Sequence, residues 1–563
     1  MAKTSKNNFA WVRNYPTHLK WDEALKYESS LFEMFENIST KHKNRIFVDF
    51  LGKEYTYGDI YEYVLAAAHG LEKMGVKKGD RIGLMLPNTP YYPIMYFAIL
   101  KLGAVVVNFN PLYAERELLH QIEDSGARLM ISMDLSLLMD KLVTILDQSN
   151  LKHVICCSML NILSPMKQFL FKLFKSKELF KIDDENTAFS TFDNLVENGG
   201  SPTDIKIRPN DIAVLQYTGG TTGVPKGAML SHGNLLANIT QANNWFEEFV
   251  GDKESFVAVL PFFHVFAMTT IMLLSVKIGA KIILLPKFDL NQLMKVLYKK
   301  RPTIFFGVPT IYTAINNHPK VKKYDLSSIK ACISGGAPLP IEVKDAFEKN
   351  TGCRMVEGYG LSETSPIVSI TPFEGKYRSG SIGFPMQNTD IKIIDIEDHK
   401  TEMPVGAKGE LWIKGPQVMQ GYWNNTKATK ESLKHGYFAT GDIGYMDQDG
   451  YFYIIDRLKD MIIAGGYNIY PRNVEEAIYL HPAIEECLVA GIDDPYRGQT
   501  VKAYIVLKAG MFLSKEELLA FLKDKLSKIE MPKIIEFRPS LPKTMIGKLS
   551  RKDVLKEERQ RKT

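Results

Sequence analysis

Between Tyr57 and Met133 the chain alternates helix-period and strand-period runs, and that alternation leaves few folds open. Residues 57–75 are amphipathic, 81–86 strand-like and 91–103 helical; 104–110 form a β-branched strand, 115–126 a helix and 128–133 a strand. Strands separated by helix-length connections predict a parallel sheet covered by helices. At 563 residues the chain exceeds what one core holds and implies two or three domains. No repeat of solenoid period is visible. The longest apolar stretches, 91–109 and 265–285, are broken by Pro93 and Lys101 and by Lys277 and Lys281, so both read as core, not as membrane spans.

Directly after the apolar run 212–216 comes Tyr217-Thr-Gly-Gly-Thr-Thr-Gly-Val-Pro-Lys-Gly227. Glycines let a loop point several backbone N–H groups at one place, and such a nest holds an anion. Thr218, Thr221 and Thr222 add hydroxyl donors and Lys226 a full positive charge, a composition suited to gripping a polyphosphate. It is not a Walker loop, which needs Gly-Lys followed by Ser or Thr; Gly52-Lys53, Gly375-Lys376 and Gly547-Lys548 all lack that third residue. The plain alternative is a flexible surface loop.

A second dense stretch is Glu357-Gly-Tyr-Gly-Leu-Ser-Glu-Thr-Ser-Pro366. Tyr359 offers a plate for a purine, the Glu363 carboxylate offers oxygen ligands for Mg²⁺, and Thr364 adds a hydroxyl. Glu363 equally suits a carboxylate satisfied at a helix N-terminus. Gly307-Val-Pro-Thr310 and Ser334-Gly-Gly-Ala-Pro-Leu339 are turns ending strands, where α/β sheets put ligands. Asp442 closes Tyr437-Phe-Ala-Thr-Gly-Asp442 behind a turn, placed for ribose hydroxyls or for capping that turn. His264, among Phe262, Phe263 and Phe266, reads on its own as a core histidine. Ser231 is expected to cap a helix running to about Phe249.

Past 456–467 a helix at 473–480, strands at 484–491 and 501–508 and a helix at 514–529 form a compact α+β unit, large enough to be a domain. Lys548, in Leu541-Pro-Lys-Thr-Met-Ile-Gly-Lys548, reads in isolation as a solvated lysine. The segment 166–181 is odd: at helical spacing Met166, Phe169, Leu170, Leu173 and Phe174 share one face, with lysines mostly flanking it. Such a basic amphipathic helix either lies in a membrane interface or packs through that face on its own domain.

Hydrophobic residues make up 45% of the chain and charged ones 24%, an ordinary globular composition, and a net charge of +6 over this length does not suggest a nucleic-acid partner. Cys156, Cys157, Cys332, Cys353 and Cys487 have no metal or redox spacing, which fits a reducing compartment. The first residues lack the apolar core of a signal peptide. A cytoplasmic location is expected, with peripheral contact at the inner face of the membrane through 166–181. The sequence leaves a homodimer open.

Taken together, seven motifs from Trp11 to Lys552 stand in the order found in the adenylate-forming (AMP-binding) superfamily. The run 435–450, continued by 456–468, resembles the signature of bacterial long-chain fatty-acid–CoA ligases. The resemblance implies an α/β fold: a large N-terminal domain of stacked α/β subdomains plus a small β subdomain (1–456), a hinge at 457–460, and a small mobile α+β domain (461–563). It implies ATP, coenzyme A and a long-chain fatty acid as substrates, with Mg²⁺ near Thr218 and Glu363. Thr218, Gly219, Gly220, Thr221, Thr222, Gly223 and Lys226 would hold phosphates. Gly335, Gly336, Ala337, Glu357, Gly358, Tyr359 and Gly360 would frame adenine, and Asp442 and Arg457 the ribose.

His264, Phe266, Gly307 and Val308 would line the acyl pocket, Lys459 would be the hinge, and Gly465 and Gly466 would guide pantetheine. Lys548, Lys226, Glu363 and Thr218 would serve catalysis. Ile546 departs from the small polar residue usual there. Two neighbouring activities stay open: a fatty-acyl-AMP ligase that loads a carrier protein, and a CoA ligase for medium-chain or aryl acids.

Overall fold

The computed structural model describes residues 9–182, 186–197, 199–218, 225–247, 253–374, 377–464, 467–544 and 548–562. The alternating N-terminal runs become helices Tyr57–Lys73, Tyr91–Lys101 and Glu115–Ser125 and strands Arg81–Met85, Val105–Asn108 and Leu129–Met133. The first helix starts at a capping box, in which Thr56 and Asp59 satisfy each other's backbone N–H groups. The third ends at Gly126, whose φ of 66° is a left-handed cap that glycine adopts without strain.

Two large sheets carry the N-terminal part. Among the described residues one runs Phe189–Thr191, His153–Cys157, Leu129–Met133, Arg81–Met85, Val105–Asn108, Ile212–Thr218, Lys226–Ser231. All neighbours pair in parallel except the last two, which form a hairpin around the glycine-rich loop. The other sheet is parallel through Ile46–Phe50, Lys281–Leu284, Ser255–Ala258, Ile304–Gly307, Ala331–Gly335 and Arg354–Gly360. It turns antiparallel at Ile367–Ile370 and Ser381–Pro385 and continues into the ribbon Phe452–Arg457, Tyr437–Met446, Gly409–Lys414, Asp390–Ile394. One buried cluster runs from Trp11 to Phe452, and a separate one from Ile462 to Ile535 fills the C-terminal sheet. That sheet orders Tyr467–Ile469, Ile462–Ala464, Gly498–Leu507 and Ile484–Asp494, with Ile534–Phe537 beside Gly498–Leu507. The α/β architecture expected from the sequence is present.

One helix is shorter than expected. Ser514 caps Lys515–Leu522, and past it the amides of Lys523 and Lys525 reach back only three residues, to Ala520 and Leu522, so the chain goes on in turns and not as helix. The helix capped by Ser231 is described as His232–Phe246, and its expected end at Phe249 lies outside the described residues.

Candidate active site

The C-terminal edges of the two sheets and the C-terminal segment enclose a cleft of about 2580 Å³. Thr218, Lys226, His264, Phe266, Val308, Gly335, Gly336, Ala337, Gly358, Tyr359, Gly360, Glu363, Arg457, Lys459 and Lys548 all line it. Residues more than 300 positions apart thus meet at one surface. Gly219, Gly220, Thr221, Thr222 and Gly223, and Gly465 and Gly466, lie outside the described residues.

Three expected site residues sit behind the lining. The Glu357 carboxyl is buried beside Arg472 and the Leu339 backbone, and burial pushes it up to about 7. It lies one layer behind the lining, against Arg472 and Leu339, which do face the cleft. Gly307 is covered by the ring of Tyr312, 3.1 Å from where a Cβ would stand. Asp442 is 3% exposed, just behind Gly441 and Arg457 of the lining.

Asp442 faces Arg457 across an antiparallel pair, and register alone brings the carboxylate within 2.9 Å of the guanidinium Nε. Its other oxygen accepts from the Tyr359 hydroxyl at 2.6 Å. A residue read as an aromatic plate is therefore also the clamp on the carboxylate.

Thr218 and Lys226 are opposite each other in the hairpin that holds the glycine-rich loop. The Lys226 ammonium lies 5.1 Å from the ring centre of Tyr422, and the Tyr422 hydroxyl donates to Glu363 Oε1 at 2.8 Å. Met419 N–H donates to the Glu363 backbone carbonyl at 2.8 Å, which fixes the short turn Ser362–Thr364 against the hairpin. Burial, and then the Glu363 charge, raise the Tyr422 phenol, so it remains a donor. Tyr422 was missed in the sequence. Its only local signal is the aromatic pair Tyr422-Trp423 after Gly421, and its role depends on an isolated bridge to Ala228.

Lys548 reaches this cleft from the far end of the chain. A Cβ placed on Gly336 would stand 2.8 Å from Lys548 Cε and 3.2 Å from Nζ, so the lysine lies across a surface only glycine leaves clear. Gly336 also has φ +81°, which other residues adopt only with strain. Burial, with Arg457 nearby, lowers the Lys548 ammonium to about 8. The solvated-surface reading of this lysine is overturned.

His264 caps the short turn Val265–Ala267, its Nδ1 accepting from Phe266 N–H at 3.3 Å. Burial, and secondarily Lys548, push the imidazole down to about 3, so it is neutral. Behind it the apolar run forms a continuous helix through Ile278, with a π-helical stretch Met268–Leu273 that is wholly buried. Phe266 stands 3.1 Å from where a Cβ of Gly335 would be.

No group of three His, Cys, Asp or Glu residues suited to a metal is present among the described residues. Glu363 and Thr218 line the same cleft, and their oxygens are of the kind Mg²⁺ takes, an ion that needs few protein ligands when phosphate oxygens supply the rest.

Residues 35–423 match the family described as AMP-binding enzyme, and residues 473–548 match AMP-binding enzyme C-terminal domain. A long-chain-fatty-acid–CoA ligase of Bacillus subtilis (strain 168) is 44% identical over 97% of this chain and 98% of its own. A feruloyl-CoA synthase of Amycolatopsis is 35% identical over 89% of this chain and 94% of its own. Among solved structures, ATP-bound MatB from Rhodopseudomonas palustris superposes with a TM-score of 0.82 at 27% identity, covering 94% of this chain and 98% of its own.

Proposed function

The chain belongs to the AMP-binding enzyme family, and on that premise we propose that it is a long-chain fatty-acid–CoA ligase. It joins a fatty acid to coenzyme A through an acyl-adenylate, releasing AMP and pyrophosphate. The observation that carries this reading is the meeting of Lys548 with the Asp442–Arg457–Tyr359 cluster and Glu363 around one cleft.

A thiol cannot expel oxide from a carboxylate, so the carboxylate oxygen is first bonded to phosphorus as a mixed anhydride, whose leaving group is AMP. Its attack on the α-phosphorus of ATP brings two anions together while pyrophosphate departs in line. Countercharge aimed at that transition state lowers the barrier, and here Lys548 and Lys226 supply it. Mg²⁺ held by Glu363 and Thr218 would neutralise phosphate charge. Tyr359 and Gly336 frame the adenine, and Asp442, held rigid by Tyr359 and Arg457, accepts from the ribose hydroxyls. In the second half-reaction the thiolate of coenzyme A attacks the acyl carbonyl and AMP leaves. That step takes place after the lid, 461–563, turns about 457–460 and exchanges Lys548 for the 465–466 loop.

Neutral His264, Phe266 and Val308 give the acyl chain an uncharged wall. An aryl-acid preference is the second reading, favoured by the similarity to a feruloyl-CoA synthase. The proposal includes a cytoplasmic enzyme that meets the inner face of the membrane through 166–181. No helix among the described residues is long and apolar enough to cross a bilayer.

The test is ATP- and CoA-dependent acyl-CoA formation across saturated acids from acetate to stearate, with ferulate alongside. A maximum at long chains supports the proposal. Activity confined to short or aryl acids overturns the substrate, and transfer to an acyl-carrier protein but not to coenzyme A overturns the acceptor.

A further inference from the structure

The helix Pro165–Lys175 has no buried residue. Its apolar face is turned outward: Met166 is 71% exposed, Phe169 65%, Leu170 44%, Leu173 61% and Phe174 77%. The side toward the body is held instead by Phe171, packed against the main core, and by Lys167, whose ammonium donates to the Leu51 carbonyl. Just beyond, Leu179 bridges to Leu135, and Phe180 N–H donates to the Asp134 carbonyl at 2.9 Å. The helix is thus fastened at its back and at its exit while five large apolar side chains face solvent, an arrangement that costs free energy unless something apolar covers them.

We propose that this helix is an interfacial anchor that seats the protein on an anionic bilayer. The proposal rests on the peripheral-contact reading above and names the chemistry of the surface. Residues 165–181 carry five lysines and one acid, and that acid, Glu178, is spent on Lys175 at 2.9 Å. Lys172, Lys177 and Lys181 remain exposed beside the apolar face. An amphipathic helix of this kind sinks its apolar face to the acyl boundary while its lysines meet anionic headgroups. A second copy of the chain fits less well, because two-fold pairing through this face would bring like-charged lysine rows together.

Anchoring also sets an orientation. The helix follows the C-terminal end of the strand His153–Cys157, and residues 110–113 follow the same end of Val105–Asn108, three strand spacings or about 14 Å along the sheet. Leu112, in that second loop, lines the cleft and is 53% exposed; Leu137, between the two, is 65% exposed. The bilayer therefore meets the edge of the protein at which the cleft begins, the side from which a membrane-dissolved acid would arrive.

The experiment is flotation of the full-length protein with vesicles of phosphatidylcholine, alone or mixed with phosphatidylglycerol. It compares wild type with Phe169→Ser/Phe174→Ser and with Lys172→Glu/Lys177→Glu. Wild type is expected to partition about tenfold better onto the anionic vesicles, and each double variant to lose about tenfold of that binding. Acyl-CoA formation from acid dispersed in neutral detergent should be unchanged in both variants. Wild-type binding equal to that of the variants overturns the anchor, and so does a wild-type dimer that the phenylalanine variant abolishes without any vesicle binding. Failure of the ligase reading would appear separately, as no product in the vesicle-free assay.

Discussion

Arg551 donates from Nη1 to Asp460 Oδ2 at 2.9 Å, so the segment that carries Lys548 is fastened to the residue following Lys459. The same guanidinium reaches Glu475 Oε1 at 2.6 Å and the Val489 carbonyl at 2.7 Å. Lys543 and Leu549 close the Lys548 turn on the other side. Lys548 is therefore positioned by Arg551 from three residues away.

Arg551→Ala should lower ATP–pyrophosphate exchange by about ten- to a hundredfold, the worth of charged hydrogen bonds at a site that needs exact placement. Conversion of supplied acyl-AMP to acyl-CoA should change far less, and Arg551→Lys should recover part of the exchange. Equal loss in both half-reactions, tracked by a lower melting temperature, would make Arg551 a structural residue only.

Lys548→Ala should reduce adenylation by about 10²–10³ while leaving the thiol step intact. The lysine also sets a pH limb. Burial and Arg457 lower it to about 8, and only its protonated form supplies countercharge, so kcat/KM for adenylation is full below that value and falls as pH rises through it. Lys548→Arg, always charged, should lose that limb even if it is slower. An unchanged alkaline limb in Lys548→Arg would assign it to another group.

The alternation at 57–133 was legible because helix and strand periods are local properties, and the observed elements fall within a few residues of the expected ones. The joining of the antiparallel ribbon to the parallel sheet was not, since sheet order is decided by pairings hundreds of residues apart. The same distinction governs the site. Lys226 and Glu363 stood out by motif and Lys548 only through the family resemblance, whereas Tyr422 became visible only through its contacts with the first two. Glu357 sat in a dense motif, but its burial against Arg472 depends on a residue more than a hundred positions away. For 166–181 the periodicity gave the apolar face without its direction. The structure turns it outward, against the expectation that a core-packing insertion would bury it.

Tyr359→Phe tests the clamp on Asp442. The ring proposed to face adenine stays, and the 2.6 Å bond to the carboxylate goes. A hydrogen bond to a charged group contributes about 1.5–3 kcal/mol, so KM for ATP should rise about tenfold or more with a smaller change in kcat. Fluorescent-nucleotide binding read beside steady-state kinetics separates the two effects. Unaltered ATP affinity would mean that Arg457 alone holds Asp442.

Gly336→Ala places a methyl group 2.8 Å from Lys548 Cε, at a φ of +81°. Backbone strain costs about 1 kcal/mol and is felt by the whole fold. Displacement of the lysine is felt by adenylation alone. Pyrophosphate exchange should therefore fall about tenfold or more, beyond what the small drop in melting temperature explains. The two contributions separate in a double-mutant cycle: once Lys548 is Ala, nothing remains for the new methyl group to displace. Gly336→Ala should then cost only its strain, and the two substitutions should be strongly non-additive in exchange rate yet additive in stability. Additive losses in exchange would show that Gly336 serves the nucleotide directly and that its clearance for Lys548 is incidental.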